Sequence, residues 1–114
     1  MNDYLNITRA LGDENRVRAI MALTAGELCV CQLIDVLGLS PATVSKHLSI
    51  LQSAGLIERR KEGRWAYYRL AGRDASPTVR RALKWTTEAL ADEAAIMGDA
   101  ARCCRNQNTH AHQQ

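Results

Sequence analysis

The hydrophobic pattern of the chain changes its period at Gly55, and this change most restricts the folds that the chain can adopt. Before Gly55, apolar residues recur at helical spacing behind Ser40-Pro41, a preferred N-cap followed by a first-turn proline. After Gly55, residues 56–61 and 64–70 form two predicted strands around Glu62-Gly63, and Trp65, Tyr67 and Tyr68 give the second strand its β-propensity. The sequence therefore predicts a helix that passes directly into a β-hairpin.

A second, shorter helix is predicted immediately before this one. It covers residues 30–37 and stops at Gly38, so only a few residues separate it from the helix that starts at Pro41. Two helices joined by a short turn that contains a glycine are typical of a helix-turn-helix. The hairpin that follows makes the unit a winged helix, mainly α-helical with one small β-hairpin.

The flanking segments also show helical patterns. Asp13 is a suitable N-cap for a helix that we expect to end at Gly26, and residues 4–11 predict another helix before it. Ser76-Pro77 starts the last predicted helix, which runs to about Met97. Because a helix-turn-helix core does not need its first and last helices, these terminal helices are candidates for a dimer interface.

Length and composition favour one small domain. The chain has 114 residues, 46% of them hydrophobic, and it contains no Phe, so its core must be aliphatic. We expect a single domain over residues 1–104 and a disordered polar tail over residues 105–114. An enzyme with a large concave pocket is hard to build at this size, so no catalytic function is predicted. No apolar run reaches the length of a membrane span, and we expect the cytoplasm as the compartment.

Positive charge is concentrated in the middle of the chain. Residues 40–73 contain seven basic and two acidic residues, whereas the rest of the chain is slightly acidic. One basic surface on a mildly acidic scaffold is a common arrangement in proteins that bind a polyanion. The alternative is a solvated, charged hairpin with no partner.

Polar and basic residues occupy the predicted face of the second helix that lies opposite its apolar stripe. Hydroxyl and ammonium groups on such a face are typical donors to phosphates and base edges. His47 is either a base-contacting residue or a packed structural histidine. The predicted contacts with DNA are Ser40, Thr43, Ser45, Lys46 and His47 on this helix, and Arg59, Arg60, Lys61 and Arg64 on the hairpin.

Four cysteines stand in two tight groups, Cys29-Val-Cys31 and Cys103-Cys104. In a reducing compartment this spacing indicates metal, metalloid or redox chemistry rather than structural disulfides. The first pair falls at the start of a helix, where N–H groups stabilise thiolates. Residues two apart point away from each other on a regular helix, so a shared soft ligand requires the first turn to unwind. The alternatives are a small buried hydrophobe for the first pair and an exposed reactive pair for the second.

Three stretches together resemble the ArsR/SmtB family of bacterial winged-helix metalloregulatory repressors. They are Glu27 to Leu33 (ELCVCQL), Ser45 to Leu48 (SKHL) and Gly63 to Leu70 (GRWAYYRL), within a resemblance that covers roughly residues 11–70. The resemblance implies a homodimer that binds a palindromic operator in double-stranded DNA and requires no cofactor. It also implies that the inducer is trivalent arsenic or antimony, which releases the DNA when cysteine thiolates bind it.

Departures from the family's patterns leave the ligand set open. Arsenite sensors of the family have a third cysteine three residues after this pair, where this chain has Ile34. Cadmium and lead sensors add N-terminal cysteines, which are absent from this sequence, and zinc sensors use Asp and His on the last helix, whereas residues 76–97 contain no His. The third sulfur for arsenite then comes from Cys103 or Cys104, or two thiolates suffice for methylarsenite, whose methyl group fills the third valence.

Several hypotheses therefore stand side by side. We favour a site formed by Cys29, Cys31 and one of the two tail cysteines, while in another scheme Cys103 and Cys104 form half of a separate site. The alternative functions on the same scaffold are a thiol redox or persulfide sensor and a cadmium- or lead-responsive repressor. A small thiol oxidoreductase is disfavoured because the chain lacks the βαβ pattern that such enzymes need.

Overall fold

The computed structural model describes residues 1–93 and Asp99. Within them, five α-helices surround a short 3-10 turn and a small sheet. The elements are α1 (Asn2–Leu11), α2 (Glu14–Ala22), the 3-10 turn (Leu23–Ala25), β1 (Leu28–Cys29), α3 (Val30–Leu37), α4 (Pro41–Ser53), β2 (Ile57–Glu62), β3 (Trp65–Leu70) and α5 (Pro77–Leu90). The predicted winged helix-turn-helix is confirmed, with α3 and α4 as its two helices and β2–β3 as its wing.

The helix starts follow from local side-chain chemistry. Asp13 accepts hydrogen bonds from the N–H groups of Asn15 and Arg16, and so caps α2 as predicted. Ser40 and Ser76 cap α4 and α5 in the same way, each followed by a proline in the first turn. Because each cap and its partners lie within a few residues of each other, the sequence alone located them.

The sheet contains one strand more than the predicted hairpin. Its order is β1-β3-β2, and both pairings are antiparallel. Glu62 pairs with Trp65, which leaves a two-residue turn at Gly63-Arg64 instead of the predicted Glu62-Gly63. Gly63 has a φ of 59°, which a glycine adopts without strain at the first position of such a turn. The added strand β1 has only two residues, too few to show an alternating pattern.

One aliphatic core holds the three central helices against the sheet. Ile20 of α2, Leu33 of α3, and Leu48 and Leu51 of α4 are fully buried, together with Leu56 at the start of the wing. Burial of each such side chain contributes about 1.5–3 kcal/mol. This packing fixes α4 with its apolar stripe inward and its polar face outward.

The last predicted helix is shorter than expected. Instead of running to Met97, α5 ends at Leu90, and the N–H of Glu93 donates to the Leu90 carbonyl in the turn that follows. The acidic side chains of Asp92 and Glu93 face the negative end of the helix dipole, which disfavours further turns. Residues 94–97 and the predicted tail lie outside the described residues. No helix within the described part of the chain is long and apolar enough to cross a membrane.

Candidate DNA interface and thiol site

The outward face of α4 presents the predicted polar groups to solvent. Thr43, Ser45 and Lys46 are exposed, whereas the apolar stripe of the same helix is buried. The Ser40 hydroxyl accepts the Thr43 N–H at 3.3 Å and donates to the Thr43 hydroxyl at 2.8 Å. Ser40 therefore uses its hydroxyl for the helix cap, while Thr43 keeps its own O–H to donate outward.

His47 contacts Arg16, a residue that was not among the predicted site residues. Its Nδ1 lies 3.3 Å from Nη1 of Arg16, and a guanidinium only donates, so Nδ1 accepts and the proton sits on Nε2. The rest of the Arg16 guanidinium donates to the carbonyls of Ala10 and Arg9, in the last turn of α1. The chain has no local signal for this contact, because the two side chains are thirty-one residues apart.

The basic residues of the wing divide into two groups. Within residues 1–93, Arg59, Lys61 and Arg64 form no ion pair and are exposed. Arg60 is different, since it bonds to Glu27 at 2.7 Å and also to the carboxylate of Glu62. Two carboxylates thus offset its charge, which weakens the case for Arg60 as one of the predicted DNA contacts.

Arg60 also contacts an aromatic ring. Its guanidinium carbon lies 4.7 Å from the centre of the Tyr67 ring, a cation–π distance. The hydrogen bond from Arg60 holds the pKa of the Glu27 carboxyl below its ordinary value. Arg60 is therefore part of a local network that includes Glu27, Glu62 and Tyr67.

Cys29 and Cys31 meet at the point where β1 passes into α3. Cys29 is the last residue of β1 and the N-cap of α3, with extended backbone angles, and Cys31 is in the first turn. Their sulfurs are bonded to each other, with the Cα atoms 5.4 Å apart. Cys29 is fully buried and Cys31 half-buried. The buried side chain of Gln32 accepts the Cys29 N–H at 2.9 Å as part of a capping box.

This geometry corrects one expectation. The sequence analysis required the first turn of the helix to unwind before the two sulfurs could meet, yet α3 is helical from Val30 onwards. The reason is that Cys29 lies just outside the helix, where its extended backbone turns its side chain towards that of Cys31. The two sulfurs therefore meet without any distortion of the helix.

The third ligand is not found near this pair within the described residues. Ile34, at the position of the family's third cysteine, is a half-buried part of the core surface. No cluster of three or more potential metal-ligating side chains occurs among residues 1–93 and Asp99. Cys103 and Cys104 lie outside the described residues, so their role stays a prediction.

An ion pair joins the scaffold to the segment that precedes the tail cysteines. Arg18 of α2 bonds to both carboxylate oxygens of Asp99, at 2.8 and 2.9 Å, and Asp99 is only 2% exposed. The same guanidinium donates to the Val36 carbonyl in the last turn of α3. Asp99 precedes Cys103 by four residues in the sequence. Arg18 was not singled out from the sequence, since its partner is eighty-one residues away.

The terminal helices leave apolar side chains uncovered. Tyr4 of α1 and Trp85 of α5 are 60% and 68% exposed. Tyr4 and Trp85 line one apolar groove between these helices, and Trp85 lines a second one with Leu11, Val17 and Leu90. This is the surface that the sequence analysis named as a candidate dimer interface.

Comparison with known proteins agrees with the fold. Residues 13–59 match the family of bacterial regulatory proteins called the arsR family. A homodimeric winged helix-turn-helix domain from Mycobacterium bovis, described as a possible ArsR-family regulator, superimposes with a TM-score of 0.67 at 32% identity and covers 82% of each chain. The chain belongs to the ArsR family. HlyU from Vibrio cholerae has the same fold, with a TM-score of 0.67, 26% identity, and 80% and 95% of the two chains covered.

Curated ArsR-family relatives carry names that refer to metal or metalloid resistance. The arsenical resistance operon repressor of Escherichia coli is 40% identical over 59% of this chain and 58% of its own length. The arsenic resistance regulator ArsR2 of Pseudomonas putida is 42% identical over 57% of each. A cadmium resistance regulator, the CadC homolog of Staphylococcus aureus, is 37% identical over 70% of this chain and 67% of its own length. The chain thus matches little more than half the length of the two arsenic-named relatives.

Proposed function

We propose that this protein is a transcriptional repressor that binds operator DNA as a homodimer and is released by trivalent arsenic or antimony bound to cysteine thiolates. One observation carries the proposal: the sulfurs of Cys29 and Cys31 converge at the start of α3, the first helix of the helix-turn-helix. A ligand at this point acts on the unit that places α4 against DNA. The arsenical and cadmium names among the relatives support this class of inducer.

The DNA-binding part of the proposal rests on α4 and the tip of the wing. Thr43, Ser45 and Lys46 form an exposed donor face on α4. Arg59, Lys61 and Arg64 of the wing add cationic groups that no acid offsets within residues 1–93. A helix in the major groove and a cationic hairpin on the backbone together suit double-stranded DNA.

The homodimer rests on the uncovered terminal helices. An apolar groove flanked by Tyr4 and Trp85 is unfavourable to leave in water, and a second copy of the chain covers it without any other partner. The related domain from Mycobacterium bovis is homodimeric. A two-fold dimer presents two α4 helices to half-sites about one helical turn apart.

The ligand chemistry rests on soft donors. Two thiolates select soft, thiophilic centres over hard cations such as magnesium. Trivalent arsenic forms three bonds to sulfur in the complete site, so Cys103 or Cys104 supplies the third. Asp99, which is bound to Arg18, precedes Cys103 by four residues, a length of chain that spans at most about 14 Å. With methylarsenite, Cys29 and Cys31 are sufficient.

Thiol alkylation tests the ligand set directly. The reduced protein is incubated with arsenite or with methylarsenite, alkylated, and analysed by mass spectrometry of its peptides. Protection of Cys29 and Cys31 by both arsenicals is expected, with added protection of one tail cysteine by arsenite alone. Alkylation of Cys29 and Cys31 at the same rate with and without arsenical contradicts the proposal.

A second candidate function is favoured by the bond between the two sulfurs. A thiol redox switch at Cys29 and Cys31 needs only that oxidation joins the sulfurs and releases two hydrogens to the oxidant, and the geometry accommodates the product. Operator binding, measured after treatment with a peroxide and after treatment with arsenite, separates the two functions. Release by peroxide without release by arsenite favours the redox switch, and release by cadmium or lead alone favours the metal-responsive alternative.

A further inference from the structure

Cys29, Tyr67 and Arg60 form one row across the three strands of the sheet. Tyr67 of β3 pairs with Cys29 of β1 on one side and with Arg60 of β2 on the other. Directly paired residues of antiparallel strands put their side chains on the same face of the sheet. A continuous row of side chains therefore links the thiol site to the wing.

Glu27 bonds to Arg60, which lies at the opposite end of this row from Cys29. It lies two residues before Cys29, and its carboxylate accepts from Arg60 at 2.7 and 3.2 Å. The Arg60 guanidinium passes over the Tyr67 ring to reach it. Since β1 has only two residues, it forms only two residue pairs with β3, and the Glu27–Arg60 ion pair adds a side-chain link between the start of β1 and the wing.

We propose that Glu27 and Arg60, together with the Tyr67 ring between them, couple the thiol site to the wing, so that a ligand on Cys29 and Cys31 shifts the DNA-binding hairpin. In this scheme, which rests on the proposed function, Arg60 is a positioning residue and not a contact with DNA. We call these three residues the wing clamp.

The electrostatics of the wing clamp agree with this role. Arg60 bonds to the carboxylates of Glu27 and Glu62. Arg60 and these two acids together carry a net negative charge. A phosphate that approached Arg60 would meet these carboxylates as well. Arg64, in the turn at the end of the same two strands, has no such neighbour within residues 1–93 and remains available to phosphate.

The consequence is a second route from the thiol site to DNA, beside the one through α3 and α4. A ligand that bridges the two sulfurs changes the distance between Cys29 and Cys31 and so moves β1, which pairs with Tyr67 and directly follows Glu27. The hairpin then changes its position relative to α4. Because phosphate contacts on α4 and on the wing must be made together, such a shift lowers operator affinity without unfolding either element.

Substitutions in the wing clamp test the proposal, with a matched ion pair of the same hairpin as control. Arg60→Met keeps the aliphatic stem over Tyr67 but removes the ion pair, and Glu27→Gln removes its charge. Glu58 and Arg69 form another ion pair, at 2.9 Å, that joins β2 to β3, and Arg69 acts on Glu27 through its charge alone. Arg69→Met is therefore the control.

The first readout is the ratio of operator affinities without and with arsenite. Arg60→Met and Glu27→Gln are expected to bind operator with nearly the parent's affinity and salt dependence, but to lower this ratio roughly 2- to 30-fold. Arg69→Met is expected to leave the ratio unchanged. An Arg60→Met protein with weaker operator binding, a shallower salt slope and an unchanged ratio overturns the proposal, because Arg60 is then a DNA contact. An equal loss in Arg69→Met overturns it as well.

The second readout does not depend on arsenic or on DNA. Amide hydrogen exchange of residues 57–70 is compared between the protein with the Cys29–Cys31 bond intact and the protein after reduction by dithiothreitol. The parent and Arg69→Met are expected to show a change in the hairpin, and Arg60→Met a smaller one. No change in the parent hairpin overturns the coupling, whatever the inducer. If hydrogen exchange in the hairpin responds to the Cys29–Cys31 bond but arsenite does not release operator DNA, the proposed inducer is refuted and the role of the wing clamp stands.

Discussion

Nη1 of Arg16 lies 3.3 Å from Nδ1 of His47, and this contact ties the DNA-facing helix α4 to the end of α1. Three contacts converge on the Arg16 guanidinium, two from carbonyls of α1 and one from the imidazole. The position of α4 in the domain thus depends on a polar contact on its flank as well as on its buried apolar stripe. Since Nδ1 is engaged by Arg16, only the Nε2 side of His47 is left for the proposed contact with DNA.

Substitutions of His47 separate anchoring from base contact. Asn places a polar group near the position of Nδ1, whereas Ala places none. We expect His47→Ala to lower the free energy of unfolding by about 1–3 kcal/mol, since it leaves a donor of a charged group without its partner. His47→Asn is expected to recover most of the loss in urea denaturation. If His47→Asn is as stable as the parent but discriminates poorly between operator and random DNA, Nε2–H contacts a base.

The N-cap at Asp13 predicts a dependence of stability on pH. Burial disfavours the charged carboxylate, but the N–H groups of Arg16 and Asn15 outweigh it, and the pKa of Asp13 lies below its ordinary value. The cap therefore contributes its full stability above the unfolded pKa, about 4, and loses it as pH falls through the lower folded value. Asp13→Asn keeps a capping oxygen and should flatten this part of the pH profile, whereas Asp13→Ala should cost about 1 kcal/mol near neutral pH. Identical acid profiles for parent and Asp13→Asn would rule this out.

The wing predicts which cations set the salt dependence of operator binding. The logarithm of affinity should fall with the logarithm of salt concentration by about 0.9 for each phosphate neutralised. Arg64→Ala should reduce this slope by about 0.9 for each phosphate that Arg64 neutralises in either protomer, with sequence preference unchanged. Arg60→Met should change it much less, because Glu27 and Glu62 already offset that charge. Equal slope changes in the two variants, measured by titration at several salt concentrations, would show that both arginines meet phosphate.

The Arg18–Asp99 pair predicts a stability cost that depends on which partner is left behind. Asp99 is 2% exposed and binds Arg18 through both carboxylate oxygens. In Asp99→Ala, two N–H groups of the partly buried Arg18 guanidinium lose the oxygens that accept from them. We expect a loss of about 3–5 kcal/mol in the free energy of unfolding. The double variant Arg18→Met/Asp99→Leu is expected to lose much less, because no charge is left alone. If the double variant is at least as unstable as Asp99→Ala, the pair does not act as a unit.

Most of the fold could be predicted because its signals are local. Asp13, Ser40 and Ser76 each cap a helix within three residues of themselves, and the change of period after Gly55 identifies the wing. The strand β1 could not be predicted, because two residues carry no period and β1 exists only by pairing with β3.

The candidate site was predicted in outline but not in its contacts. Cys29 and Cys31 stand out by spacing alone, yet whether their sulfurs converge depends on whether Cys29 lies inside or just before the helix. A basic residue on a strand has the same pattern whether it faces phosphate or a carboxylate, so Arg60 could not be told apart from Arg59. Arg16 and Arg18 have partners thirty-one and eighty-one residues away, and no local pattern reveals such pairs.

Arsenite titration of operator complexes tests the central claim most directly. It compares the parent with Cys29→Ser, Cys31→Ser and the double variant Cys103→Ser/Cys104→Ser, with fluorescence anisotropy of labelled operator as the readout. Each single variant should bind operator as the parent does and fail to release it, because one thiolate of the converging pair is missing. The double tail variant should respond to methylarsenite but not to arsenite. Normal release from Cys29→Ser and Cys31→Ser, with failure only in the tail variant, would contradict the account and place the sensor outside the helix-turn-helix.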